Sequence, residues 1–253
     1  MSRPLLPLLL ALLLAPVLLA AQDAPAQPQP DEGDNMMHAM SHRHEDMGPH
    51  MKMTDLREVR AGDQQKADEV AAAARKALEP YKDYRQALAD GYRIFLPNIP
   101  MKMYHFTNWY YGMEAAFHFN PDHPTSLLYE KTADGGYKLI GAMYTAPANT
   151  SIDELNSRIP LSIAQWHEHV NFCRAPKGLE REYFPPHPRF GLLGSITTRQ
   201  DCEAAGGTFK PQIFGWMVHV YPFEEKQAGI WSVERQMENH EHGGHSMDHM
   251  DMH

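Results

Sequence analysis

The stretch Trp166-His167-Glu168-His169-Val170-Asn171-Phe172-Cys173 holds the most concentrated chemistry inside the chain. On an extended strand alternate residues share a face. His167, His169, Asn171 and Cys173 then point one way, and Trp166, Val170 and Phe172 point the other, into a core. Glu168 is the exception on the core side, placed to orient a ligand from behind or to sit at an edge. Two imidazoles two residues apart on a strand can chelate one ion, and a third ligand should come from a neighbouring strand. His219 is the best candidate. In 213–221, Gly215, Met217, His219 and Tyr221 alternate with Phe214, Trp216, Val218 and Val220. His118 and His123, in Phe117-His118-Phe119-Asn120-Pro121-Asp122-His123-Pro124, complete the candidate ligand set. Three imidazoles with an open position make a catalytic-style zinc site or a copper site.

Cys173 has two possible uses. It can join His167 and His169 as a thiolate, or it can pair with Cys202, 29 positions on, which makes the site imidazole-only. In an oxidising compartment two cysteines usually pair. Met101, Met103 and His105 share a face if 100–106 is extended. That spacing offers soft ligands, but an alternating strand that packs two Met into a core is the commoner use. His187, among prolines, reads as a loop residue.

Two biased segments bracket these residues. Positions 36–53 hold six Met and four His in eighteen residues, and 237–253 hold four Met and five His in seventeen. A thioether is soft and suits Cu(I) and Ag(I), whereas imidazole suits Cu(II), zinc and nickel. Interleaving the two, as in His245, Met247, His249, Met250, Met252 and His253, allows copper to be held in either oxidation state. Asp248 and Asp251 add attraction for any cation. In composition these tails resemble those of periplasmic copper- and silver-handling proteins. The resemblance covers about 35 residues. It implies copper chemistry and carries over no individual ligand and no fold. Neither tail has enough bulky apolar side chains to build a core, so both are expected to be disordered without metal.

Residues 1–21 read as a secretory signal, with Arg3 before a Leu/Ala run and small Ala20 and Ala21 after it. The apolar run of about 15 residues, broken by Pro16, is shorter than the ~20 a membrane span needs. A periplasmic or secreted protein with no membrane span in its mature form is the expectation. The formal charge of −9 argues against a nucleic-acid partner. No strand–GxGxxG–helix or Walker pattern appears, so metal ions are the expected partners.

These residues need elements to position them. Ala67, Val70, Ala71, Ala74 and Leu78 recur at helical spacing, and Pro80 follows. A second helical piece runs over about 81–90, with Gly91 placed to end it. From there the pattern changes to strand. Segments 126–132 and 137–144 flank Ala133-Asp134-Gly135-Gly136, a hairpin signal. Ser151 and Glu154 form a capping box for a short helix, ended by Pro160. Segments 166–173 and 213–221 are the next strands.

The expected fold is α+β. N-terminal helices precede a mainly antiparallel β-sheet domain, flanked by disordered Met/His-rich tails. Its parts are a signal at 1–21, a linker and Met/His-rich segment at 22–54, a metal-binding domain at 55–235 and a tail at 236–253. The favoured function is an exported copper-binding protein with one internal His-based site and metal-capturing tails. A copper- or zinc-dependent periplasmic enzyme using the same His cluster is the alternative.

Overall fold

In the computed structural model, which describes residues 48–99, 101–184 and 186–238, Ala67, Val70, Ala71, Ala74 and Leu78 form the buried stripe of helix α1 (Asp63–Leu78). A single 3-10 turn containing Pro80 follows it. The next helix, α2 (Tyr84–Ala89), starts where the Asp83 carboxylate accepts from the Arg85 N–H, and stops before Gly91, whose φ is 92°. The short helices α3 (Trp109–Glu114), α4 (Ile152–Arg158) and α5 (Arg199–Ala204) each carry a side-chain cap, from Asn108, Ser151 and Thr198. Two more, α6 (Gln227–Ile230) and α7 (Val233–Glu238), close the described chain.

Among the described residues seven strands form one sheet: β1 (Met51–Met53), β2 (Arg93–Ile94), β3 (Met103–Thr107), β4 (Ser126–Lys131), β5 (Tyr137–Ala146), β6 (His167–Arg174) and β7 (Thr208–Val220). Their order is β1-β6-β7-β5-β4-β3-β2, and every neighbouring pair is antiparallel. The α+β expectation therefore holds. The 133–136 turn joins β4 to β5 as a hairpin, with Gly135 at φ 85°.

The two faces of the sheet have different chemistry. Tyr104, Phe106, Leu127, Tyr129, Tyr144, Trp166, Trp216 and Val218 point to one face and make the main core with the α1 stripe. A smaller cluster of Met103, Leu128, Ile140, Met143, Met217 and Tyr221 lies apart from it. The strand registers put Met143 opposite His219 and Met217 opposite His167, on the second face.

The sheet curls toward that second face. Strands lie 4.7–4.9 Å apart, so β3 and β7, with β4 and β5 between them, are separated by roughly 14 Å along the sheet. Yet the rings of His105 on β3 and His219 on β7 are 5.6 Å apart. Phe95 lies just past β2, its N–H still donating to the His105 carbonyl, and its ring meets Phe214 of β7 at 5.9 Å. Two irregularities supply local bending: a register shift at Leu128/Tyr129 between β4 and β5, and another at His167/His169 between β6 and β7. Gly141 allows the close passage of β5 under β7, since a Cβ there would stand 2.4 Å from the Val220 carbonyl oxygen.

Three local features differ from the sequence expectation. Met51–Met53 belong to a strand, although composition assigns them to the Met/His-rich segment. Of that segment, 48–50 are described as well, while 36–47 lie outside the described residues, as do the signal-like and linker residues 1–35 and the tail residues 239–253. A helix, α3, interrupts the region expected to be strand. Finally, the alternation along β6 breaks at Asn171, whose φ is 55°.

Cys173, at the end of β6, is disulfide-bonded to Cys202 of α5 with Cα atoms 5.6 Å apart, so the thiolate-ligand reading of Cys173 is corrected. Both cysteines are fully buried beside Phe190 and Ile196. Gly207 packs on the bridge so closely that an added Cβ would meet the Cys173 Sγ at 2.6 Å. Among the described residues no helix is long and apolar enough to cross a membrane.

Thiol titration of the unfolded, unreduced chain should find no free cysteine. Reduction should lower unfolding stability in urea by roughly 2–4 kcal/mol, the usual range for a loop of this kind. Two reactive thiols before reduction would contradict the bridge.

Candidate metal centre

Three strands deliver imidazoles to the inner face of the curled sheet. His167 and His169 come from β6, His219 from β7 and His105 from β3. The ring centroids are 5.6 Å apart for His167 and His169, 5.2 Å for His167 and His219, and 5.6 Å for His105 and His219. His167 and His219 are each 1% exposed and His169 6%, while His105 is half-buried. The Tyr221 hydroxyl lies 3.4 Å from Nδ1 of His219. Phe214, in the bulged part of β7 with φ 62°, reaches the His169 ring at 6.4 Å.

Two imidazoles bound to one ion at ~2.0–2.1 Å, with tetrahedral to trigonal angles, have ring centroids about 5 Å apart. The observed spacings are close to that value. As the side chains stand, no three His, Cys, Asp or Glu residues among the described residues meet around one ion. The spacings hold for neighbouring pairs, which run in the order His169, His167, His219, His105 across the face.

His167, His169 and His219 are brought together, as the alternation argument requires. The structure adds His105, on the face it shares with Met103 of β3, where Met103 itself is buried. His118 and His123 do not join them. Both turn to Glu114 at the end of α3: His118 Nε2 lies 3.0 Å from one carboxylate oxygen and His123 Nδ1 2.6 Å from the other. The His123 ring is stacked on Tyr111 at 4.4 Å, and the Phe119 ring packs on Tyr144. The partners of these two rings are thus Glu114 and, for His123, also Tyr111 and Asn120. The reason is the helix α3, which puts Glu114 within reach of both rings. The hydrogen bond from His123 holds the Glu114 carboxyl below its ordinary range.

Glu168 faces the other side of β6, as the alternation predicts. There it accepts from Lys52 Nζ at 3.0 Å and from the Gln212 side-chain amide, on the side where Trp216 packs. His187 is an exposed loop residue. His50, part of the Met/His-rich segment by composition, is buried, with Nε2 2.7 Å from the Gly194 carbonyl oxygen.

Comparison with known proteins finds no matching family model, no matching curated sequence and no matching solved structure.

Because its folded pKa is depressed, Glu114 contributes stability that is present above the ordinary Glu value of ~4.3 and lost as pH falls through the lowered folded value. Glu114→Gln should therefore flatten part of the acid loss of stability in urea unfolding followed from pH 7 to pH ~3. An unchanged slope would show that the carboxylate is not held by His123 in solution.

Proposed function

We propose that this chain is an exported copper-binding protein. In this reading His105, His167, His169 and His219 form one internal site, and the Met/His-rich terminal segments capture ions for it. The observation that carries the reading is the gathering of imidazoles. Seven His lie between the two biased segments, and four of them converge from three strands onto one face of the sheet. Cores normally place such residues singly, because each buried imidazole needs polar partners. The disulfide supports an oxidising compartment, and the signal-like start supports export. Copper is favoured over zinc because thioethers accompany the imidazoles both in the tails and on the sheet face; thioethers suit Cu(I), whereas zinc sites are built from thiolate, imidazole and carboxylate. The tails act as weak, multiple sites, and the acidic net charge draws cations to the surface.

Competition titration of the full mature chain with a copper chelator should resolve one tight Cu(II) ion above several weak ones. The double variant His167→Ala, His169→Ala should lose the tight ion, with a deficit beyond the roughly 10–100-fold that removal of an outer partner costs. His187→Ala should leave it unchanged. Tight binding should also fall as protons compete for the imidazoles, near and somewhat below the ordinary His pKa of ~6.5. A double variant with native affinity would overturn the proposal.

A further inference from the structure

β1 lies at the edge of the sheet, paired to β6, and its register sets Met51 directly opposite His169 and Met53 directly opposite His167. Directly opposed residues of an antiparallel pair have Cβ atoms ~4.5–5.5 Å apart and project from the same face. Lys52, between the two, goes to the other face, to Glu168 and over the Trp216 ring. Met51 and Met53 therefore stand on the imidazole side. On the other flank of His167 is Met217, and opposite His219 is Met143. Those two are 6% and 8% exposed and sit in a packed cluster, while Met51 and Met53 are only half-buried.

Docking of β1 does not depend on the two thioethers. Besides the ladder, the strand is held by Val170 N–H donating to the His50 carbonyl, Asn171 Nδ2 donating to the Pro49 carbonyl at 2.7 Å, and Thr54 N–H donating to the Trp166 carbonyl. The buried His50 ring and the Lys52–Glu168 pair add to this. Any apolar side chain would cover the edge equally well. A thioether adds soft coordination that needs no deprotonation, which suits monovalent d10 cations.

We propose that Met51 and Met53 form a thioether station for a soft monovalent cation, Cu(I) or Ag(I), at the sheet edge beside His167 and His169. This rests on the copper reading of those imidazoles and adds to it a selectivity. Cu(II) retention depends on the imidazoles alone, and Cu(I) or Ag(I) retention depends on the imidazoles and β1 together. No electron transfer is involved: the ion keeps its charge as it is shared between sulfur and nitrogen.

Ag(I) is the probe, being soft and redox-inert, with the full mature chain labelled at Met methyl and His ring positions for NMR. In the native chain the Met51 and Met53 methyl signals should shift with Ag(I) in step with the His167 and His169 ring signals. In Met51→Leu, Met53→Leu, the ring signals should need about tenfold more Ag(I), while their broadening by Cu(II) stays native. Met51 and Met53 methyls that stay put while the His rings respond to Cu(II) would overturn the thioether station alone. Native Ag(I) response in the Leu variant would overturn it too. Rings that respond to neither Ag(I) nor Cu(II) in the native chain would overturn the copper reading, and this inference with it. The native methyl signals decide the matter even if the Leu variant folds poorly.

Discussion

The inward curl of the seven-stranded sheet is the constraint on which the rest depends. Without it His105 and His219, three strand positions apart, would be separated by more than twice the 5.6 Å seen between their rings. Curvature turns a face that would otherwise be open into a trough. It lets residues from β3, β6 and β7 approach one another although they are far apart in sequence. The bending comes from register shifts in two strand pairs and from Gly141, where a side chain would collide with the Val220 carbonyl. The aromatic contact of Phe95 with Phe214 spans the same trough near His169.

Keeping such a trough requires that the outer face be firmly built. Trp166, Tyr129, Tyr144 and Phe106 are fully buried or nearly so in the core that also holds the α1 stripe. Three of the buried tyrosine hydroxyls are satisfied by carbonyls: Tyr129 donates to Tyr81, Tyr144 to Pro121 and Tyr92 to Pro124. Burial raises the pKa of all three phenols, so they stay neutral donors throughout the ordinary pH range. The disulfide fixes the far end of β6 to α5, outside the trough. One strand thus carries imidazoles at its start and a covalent anchor at its end.

Much of this was legible in the chain. The α1 stripe, the 133–136 turn, the Ser151 cap and the faces of His167, His169 and His219 all follow from periods of 3.6 and 2, which local geometry enforces. What was not legible depends on contacts distant in sequence. A three-residue edge strand leaves no periodic signal, least of all inside a Met/His-rich run. Helix α3 is short and aromatic, and its Asn108 cap is a weak cue beside the surrounding strand pattern. Since α3 places Glu114, the pairing of His118 and His123 with that carboxylate was hidden as well. His105 was seen on the correct face of its strand. Only the curl shows that this face looks toward His219 rather than into a core. The turn of Asn171 into positive φ, likewise, has no local signature that would separate Cys173 from the imidazoles.

Paramagnetic broadening by Cu(II) tests the central claim most directly, because it reports position as well as binding. Cu(II) is added below one equivalent to the full chain, and backbone amide signals are followed residue by residue. The account predicts that signals around His105, His167, His169 and His219 broaden at the lowest copper, together and across three strands, while those around His187 and Glu114 persist. Broadening confined to the Met/His-rich terminal segments, with the sheet signals intact at a full equivalent, would contradict it.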